Sequence, residues 1–298
     1  MAVSRPPICD YEGSRYQDEF WDQGGRAYED QADAIALQRL LPKGGVLLLE
    51  LGAGAGRNTP RYKGFKQIVL LDYSLTQLQQ AVQRLGMDPR YIYVAADIYK
   101  LPFVDGLFDA ATMIRTLHHM TDPPAALKQV RNSLKPAAIF ILEYANKHNL
   151  KAILRYWTKQ QTWSPFTLES VEFEKLNYDF HPRMIKNYLE AAGFTLQQQL
   201  AVSYFRLGLI KRSIPLKLLN RLEVWLQPTG RWCQLSPSIF TRNQAIGESP
   251  SASAGTFFKC PTCGFDILKQ DEARITCTGC LHEWPIRDGI YDFRLPAG

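Results

Sequence analysis

The stretch Val46-Leu47-Leu48-Leu49-Glu50-Leu51-Gly52-Ala53-Gly54-Ala55-Gly56-Arg57 decides the fold. Its first half is an apolar run interrupted only by Glu50, as a strand buried on both faces should be. Its second half alternates glycine with small residues. Glycine lets the backbone turn tightly and approach a ligand before a helix starts. Outward from this stretch the pattern repeats: Gln67–Asp72 (QIVLLD), Arg90–Ala95 (RYIYVA), Phe108–Ile114 (FDAATMI) and Ala138–Glu143 (AIFILE) are further short apolar runs. Helical segments separate them: a short one opened by Thr59-Pro60, then Ser74–Leu85 and Pro123–Leu134. Such alternation predicts βαβ units and a mainly parallel sheet. A helix over Ala27–Leu41, broken by Pro42-Lys43-Gly44-Gly45, leads into the first strand. His181–Ala192 is another helix, closed by Gly193, and Thr195–Tyr204 with Leu235–Thr241 predict an antiparallel pair at the sheet edge.

The glycines run G-x-G-x-G, whereas dinucleotide sites use G-x-G-x-x-G. Glu50 stands two residues before the first glycine, at the ligand end of its strand. A carboxylate there repels a pyrophosphate but attracts a ligand carrying an ammonium and a sulfonium, which favours S-adenosylmethionine. Asp72 ends the second strand, where a carboxylate accepts from ribose hydroxyls. Asp97, in Ala95-Ala96-Asp97-Ile98, is placed to accept from an adenine amino group, with apolar Ile98 covering the ring. His118 and His119 follow the fourth strand toward the acceptor face. A histidine there suits proton abstraction near neutrality, and loop packing is the alternative. Glu143, Tyr144 and Asn146 leave the fifth strand at the same face, and His181, before a proline, reads as a helix cap. Methyl transfer is an in-line displacement that positioning and desolvation can support without a protein nucleophile. The fourth strand ends in Ile114-Arg115-Thr116, not Asn/Asp-Pro-Pro-Tyr, and no Pro-Cys nucleophile lies near it.

The pieces LELGAGAGR, LLDYS, AADIYKLPF, DGLFDAATM, LHHMTDPPAALKQVRNSLKP and AIFILEYAN resemble class I S-adenosylmethionine-dependent methyltransferases, over residues 20–245. The subgroup resembled is the one that includes ubiquinone/menaquinone-biosynthesis enzymes. The resemblance implies an α/β, Rossmann-like methyltransferase fold with a mainly parallel seven-stranded sheet. It also implies Glu50, Gly52, Ala53 and Gly54 around the methionine part, Asp72 and Tyr73 on the ribose, and Asp97 and Ile98 on the adenine.

Four of the six cysteines, Cys260, Cys263, Cys277 and Cys280, fall near the C-terminus as two C-x-x-C knuckles. This spacing suits a tetrahedral, closed, structural zinc site, a redox dithiol being the alternative. Cys9 and Cys233 stand alone and read as inert. With the tail His282–Phe293, the knuckles resemble the small zinc-ribbon activator subunit that partners transfer-RNA, ribosomal-RNA and release-factor methyltransferases, here fused in cis. That resemblance implies docking on the chain's own catalytic part. The expected organisation is a methyltransferase domain over 1–241 with a lid insertion at 205–226, a linker over 242–256, and the zinc ribbon over 257–298.

The chain has 298 residues, 46% hydrophobic and 21% charged, which excludes disorder throughout. No run of about 18 apolar residues exists, so no transmembrane helix is expected. The N-terminus lacks a charged-then-apolar leader, so a cytoplasmic location is expected. The formal charge is +6; residues 257–298 hold five basic and six acidic side chains, a balance of −1 that leaves +7 for residues 1–256. Lys147, Lys151, Arg155 and Lys159 recur every four residues, which predicts a basic helical stripe. RNA or translation machinery is therefore the leading acceptor expectation, through the ribbon and the stripe. A small hydrophobic or lipid-like acceptor is the second, through the quinone-enzyme resemblance and the lid. A non-catalytic cofactor-binding scaffold is the third.

Overall fold

The computed structural model describes residues 6–8, 11–14, 21, 25–248, 252–253 and 255–294; Cys9 lies outside them. Helix α1 (Ala27–Leu40) leads into β1 (Gly45–Leu51) and β2 (Phe65–Asp72), followed by α2 (Leu75–Leu85). Then come β3 (Tyr91–Ala95), β4 (Phe108–Met113), α3 (Pro123–Ser133) and β5 (Leu134–Ala145). These five strands are parallel, in the order β3-β2-β1-β4-β5. Successive β1 residues Leu48 and Leu49 are fully buried in different clusters on opposite faces of the sheet, which is why the strand reads as a continuous apolar run.

The chain continues through α4 (Leu150–Trp157), a hairpin of β6 (Val171–Glu174) and β7 (Asn177–Asp179), and α5 (Pro182–Ala191) to β8 (Phe194–Val202). Helices α6 (Gly208–Ser213) and α7 (Leu216–Leu226) precede β9 (Ser238–Ala245), which inserts between β5 and β8, antiparallel to both. The expected seven-stranded methyltransferase sheet is therefore present. The linker was expected from residue 242, but Arg242–Ala245 belong to β9, whose polar side chains are held: Asn243 donates to Phe140 O and Arg242 to Gln197.

The C-terminal strands β10 (Leu268–Gln270), β11 (Arg274–Cys277) and β12 (Glu283–Arg287) form an antiparallel ribbon. Its last strand, β13 (Ile290–Asp292), pairs with β12 on one side and runs parallel to β3 on the other. The result is one continuous 11-stranded sheet. Further ties join the two parts: Phe293 N donates to Ala95 O at 2.8 Å, Val104 N to Phe257 O at 3.2 Å, and Lys259 pairs with Asp105 at 2.6 Å.

The expected basic stripe does not form. Asn149 caps α4 by accepting from Ala152 N, so the helix starts only at Leu150. Lys147, upstream of the cap, is 2% exposed and donates to Thr167 Oγ1 and Glu169 O. Lys159, beyond the C-terminus, has φ +58°. Only Lys151 and Arg155 stand on the helix itself.

Candidate active site

A cavity opens where the strand order reverses, beyond the carboxyl ends of β1, β2, β3 and β4, the position at which open α/β sheets bind ligands. Gly52 and Gly54 both have positive φ, +66° and +53°. A Cβ on Gly52 would lie 2.1 Å from Thr116 Oγ1, so the turn has no room for a side chain there. Asp72 holds the glycine loop and the next helix together: Gly54 N donates to its Oδ2 at 2.8 Å and Ser74 N to its Oδ1 at 3.0 Å. Asp97 is buried and accepts from Tyr99 N while facing the cavity beside Ile98.

The structure brings Gly52, Ala53, Gly54, Asp72, Tyr73, Asp97, Ile98 and His119 to this one cavity. It leaves Glu50 and His118 out of the lining. Glu50 is on the β1 face turned toward Tyr62, where it accepts from Thr59 Oγ1 at 2.6 Å and from the Tyr62 hydroxyl at 3.1 Å. Burial pushes its carboxyl up to about 7, against the opposing effect of those hydroxyls. Glu50 thus sits outside the cavity lining, against Thr59 and Tyr62. His118 packs against His119 with ring centroids 3.9 Å apart, and burial holds it well below the ordinary histidine range.

His119 is better placed. Its Nδ1 lies 3.1 Å from Leu176 O, a group that only accepts, so Nδ1 carries the proton. Its Nε2, 3.1 Å from the Tyr11 hydroxyl, is then an acceptor. Burial lowers its pKa, which keeps the ring neutral. The residues after β5 serve the frame. Glu143 accepts from Arg115 N and Ser238 Oγ, Tyr144 is buried, and Asn146 donates to Gln234 O and Ser236 O. His181 caps α5, accepting from Arg183 N.

Several lining residues were not anticipated. Arg57 and Arg115 both reach the cavity, and both are held by Asp33 of α1, at 3.1 and 2.8 Å. Burial would raise Asp33, but the guanidiniums of Arg115 and Arg57 bring it below the usual carboxylate range. Arg115 has φ +60°, a conformation rare for a residue with a side chain, and its ion pairs with Asp33 and Glu143 hold it there. The outer wall comes from the N-terminal segment: Pro7, Ile8, Tyr11 and Trp21, the last stacked 3.6 Å from the Arg57 guanidinium carbon. No residue of 205–226 lines the cavity, whose outer wall among the described residues comes from Pro7, Ile8, Tyr11 and Trp21.

In the ribbon, the sulfurs of Cys260, Cys263, Cys277 and Cys280 all lie within 4.8 Å of one another, with Cys260–Cys280 at 3.7 Å and Cys263–Cys277 at 3.5 Å. Tetrahedral Zn–S bonds of about 2.3 Å demand S–S edges of about 3.8 Å, so the donor set fits zinc. His282 stacks on Trp284 at 4.0 Å and is not part of the cluster.

Residues 49–142 match the methyltransferase domain family. A 2-phytyl-1,4-naphtoquinone methyltransferase from Trichormus variabilis is 36% identical over 36% of this chain and 50% of its own length, so the match spans about half of that relative. A demethylmenaquinone methyltransferase from Clavibacter sepedonicus is 33% identical, over 55% of this chain and 72% of its own. Among solved structures, a chain from the complex between the Haloferax volcanii Trm112 methyltransferase activator and a methyltransferase superposes with TM-score 0.53 at 18% identity, covering 78% of this chain and 99% of that one. The strand order, the glycine turn beside the cavity-facing carboxylates Asp72 and Asp97, and these similarities agree: the chain belongs to the class I S-adenosylmethionine-dependent methyltransferases.

Proposed function

We propose that the protein transfers a methyl group from S-adenosylmethionine to a small hydrophobic, ring-bearing acceptor. The observation that carries this reading is the cavity: two carboxylates at adjacent strand ends, with Ile8, Tyr11, Trp21, Ile114 and Met120 supplying apolar and aromatic walls. Asp72 and Tyr73 would hold the ribose, Asp97 and Ile98 the adenine, and Gly52, Ala53 and Gly54 the methionine end. Arg57 and Arg115 would hold the carboxylate of that end. The bound cofactor supplies an electrophilic methyl group. The protein contributes alignment and a water-poor site, so no covalent intermediate with the protein is required. Where the acceptor must lose a proton, His119 Nε2 takes it, relayed by the Tyr11 hydroxyl, and Leu176 O holds the ring in the accepting tautomer. The quinone relatives support a hydrophobic acceptor.

A second reading, RNA or translation machinery as acceptor, is favoured by the fold shared with a protein solved with an activator. It is weakened by the loss of the basic stripe. The ribbon of residues 257–294 would hold a structural zinc through its four thiolates and act in cis as a stabilising module on β3, joined to the catalytic part by a link that begins after Ala245. No helix among the described residues is long and apolar enough to cross a membrane. The decisive experiment is transfer of labelled methyl into fractionated cell extract. Label in the organic-soluble fraction supports the proposal, and label in RNA replaces it with the second reading. Calorimetry tests the cofactor site: Asp72→Asn and Asp72→Ala should weaken S-adenosylmethionine binding tenfold or more, since a hydrogen bond to a charged group contributes about 1.5–3 kcal/mol. Unchanged affinity would refute the assignment.

A further inference from the structure

The excursion between β8 and β9, residues 203–237, uses its charge one-sidedly. It holds six basic residues and a single acid, Glu223. Glu223 is fully buried, accepting from the Tyr28 hydroxyl and Ser203 N. Arg206 is half-buried, with its Nε shielded from solvent, and Lys211 is paired with Glu29 at 2.9 Å. The remaining cations, Arg212, Lys217, Arg221 and Arg231, are exposed and make no ion pair among the described residues. The surface of this segment is therefore purely cationic.

The same surface is strongly apolar. Trp225 is 82% exposed, Leu209 79% and Trp232 78%, with Leu207, Leu218 and Leu222 also exposed. Helix α7 shows how this comes about. Leu219 and Glu223 face inward, and Leu218, Leu222 and Trp225, at helical spacing of four and three, form an exposed stripe roughly a third of a turn away. Lys217 and Arg221 lie one position round from that stripe. The inner face is already satisfied by α1, through Tyr28 to Glu223 and Arg39 to Val224 O. The outer stripe is exposed among the described residues, and exposed apolar surface clustered on one helix in this way marks a binding face.

We propose that this face docks on the surface of an anionic lipid bilayer, with α7 lying in the interfacial plane. Tryptophan and leucine enter the boundary between headgroups and acyl chains, and the four cations meet headgroup phosphates. The composition selects this occupant. A nucleic acid would use the cations and stack on the tryptophans, but Leu209, Leu218 and Leu222 would gain nothing. A protein partner would need an acidic rim to match four unpaired cations. The docking stands whether or not the acceptor is a lipid.

The test uses the full-length chain in vesicle flotation, with phosphatidylcholine alone and with phosphatidylcholine mixed with phosphatidylglycerol. Binding to the mixed vesicles, falling as salt rises, is expected. The double substitution Lys217→Gln/Arg221→Gln should weaken it roughly 30-fold, at about fivefold per cation. Leu222→Ala/Trp225→Ala should weaken it at every salt concentration. All four positions are exposed, and thermal unfolding of each variant verifies that it is folded. Absence of vesicle binding, equal binding to both vesicle types, or an unchanged affinity in both variants overturns the proposal. So does binding of single-stranded RNA, or dimerisation, that the same substitutions abolish while vesicles do not bind.

Discussion

Glu50, two residues before the first glycine and at the ligand end of β1, is expected from sequence to attract a cationic ligand. Its alternation with Leu49 and Leu51 instead turns it to the Tyr62 side of the sheet. Sequence spacing places a residue on a face, but the hydroxyls waiting there are tertiary facts. Its raised pKa has a definite consequence. Between about 4.5 and about 7 the folded state keeps a proton that the unfolded chain has lost, so this group makes stability fall as pH rises through that window and then level off. Glu50→Gln should remove that fall, worth up to about 3 kcal/mol, in a difference curve of thermal unfolding against pH. The lowered pKa values of His118 and His119 give the opposite slope, with stability lost as pH drops below about 6.5, and cancel in the same difference. The two histidines were indistinguishable as neighbours in sequence, and only His119 reaches the cavity. His119→Gln should therefore lower kcat by about a hundredfold or more for an acceptor that loses a proton, with cofactor affinity retained. His118→Gln should stay within a few fold of wild type. Steady-state kinetics with calorimetry separates these outcomes.

Elements differ in how legible they were. The strands β1 to β5 announced themselves because parallel strands buried on both faces are apolar throughout. The hairpin β6–β7 is short and mostly exposed, with Glu172, Glu174 and Asn177 in its ladder, and carries no such signal. The basic stripe failed for a local reason: Asn149, a good N-cap residue, resets the helix start and strands Lys147 outside it. The role of α1 was invisible because its charged residues look like a solvated face. In the structure its Asp33, fully buried, ties Arg57 of the glycine turn to Arg115 beyond β4. Removing it leaves both guanidiniums without that partner. Asp33→Ala should cost about 3–5 kcal/mol in denaturant unfolding and weaken cofactor binding, whereas an exposed pair such as Lys186–Glu190 should cost less than about 1 kcal/mol.

At the scale of the whole molecule, the two knuckles were plain from cysteine spacing, but the merging of the ribbon into the main sheet was not. The strand β13 is three residues long, and its pairing with β3 depends on docking rather than on its own pattern. Chelation should release the ribbon while the parallel core persists. Structural zinc contributes about 10–16 kcal/mol of apparent folding free energy in peptides of this kind, enough to order a unit with so small a core. Hydrogen exchange after chelation should show protection lost over residues 257–294 and along β3, with β1 and β4 still protected.

That loss would uncover more than a metal site. The outer rim of β3, Tyr91–Ala95, is an interior position only because β13 lies beside it. Stripped of that neighbour, it becomes a row of unpaired amides and carbonyls flanked by Ile92 and Val94, open to the same strand of another molecule. By pairing with β3 the C-terminal ribbon covers this rim, so protein treated with a chelator should precipitate at temperatures below its unfolding midpoint, which light scattering recorded alongside thermal unfolding checks.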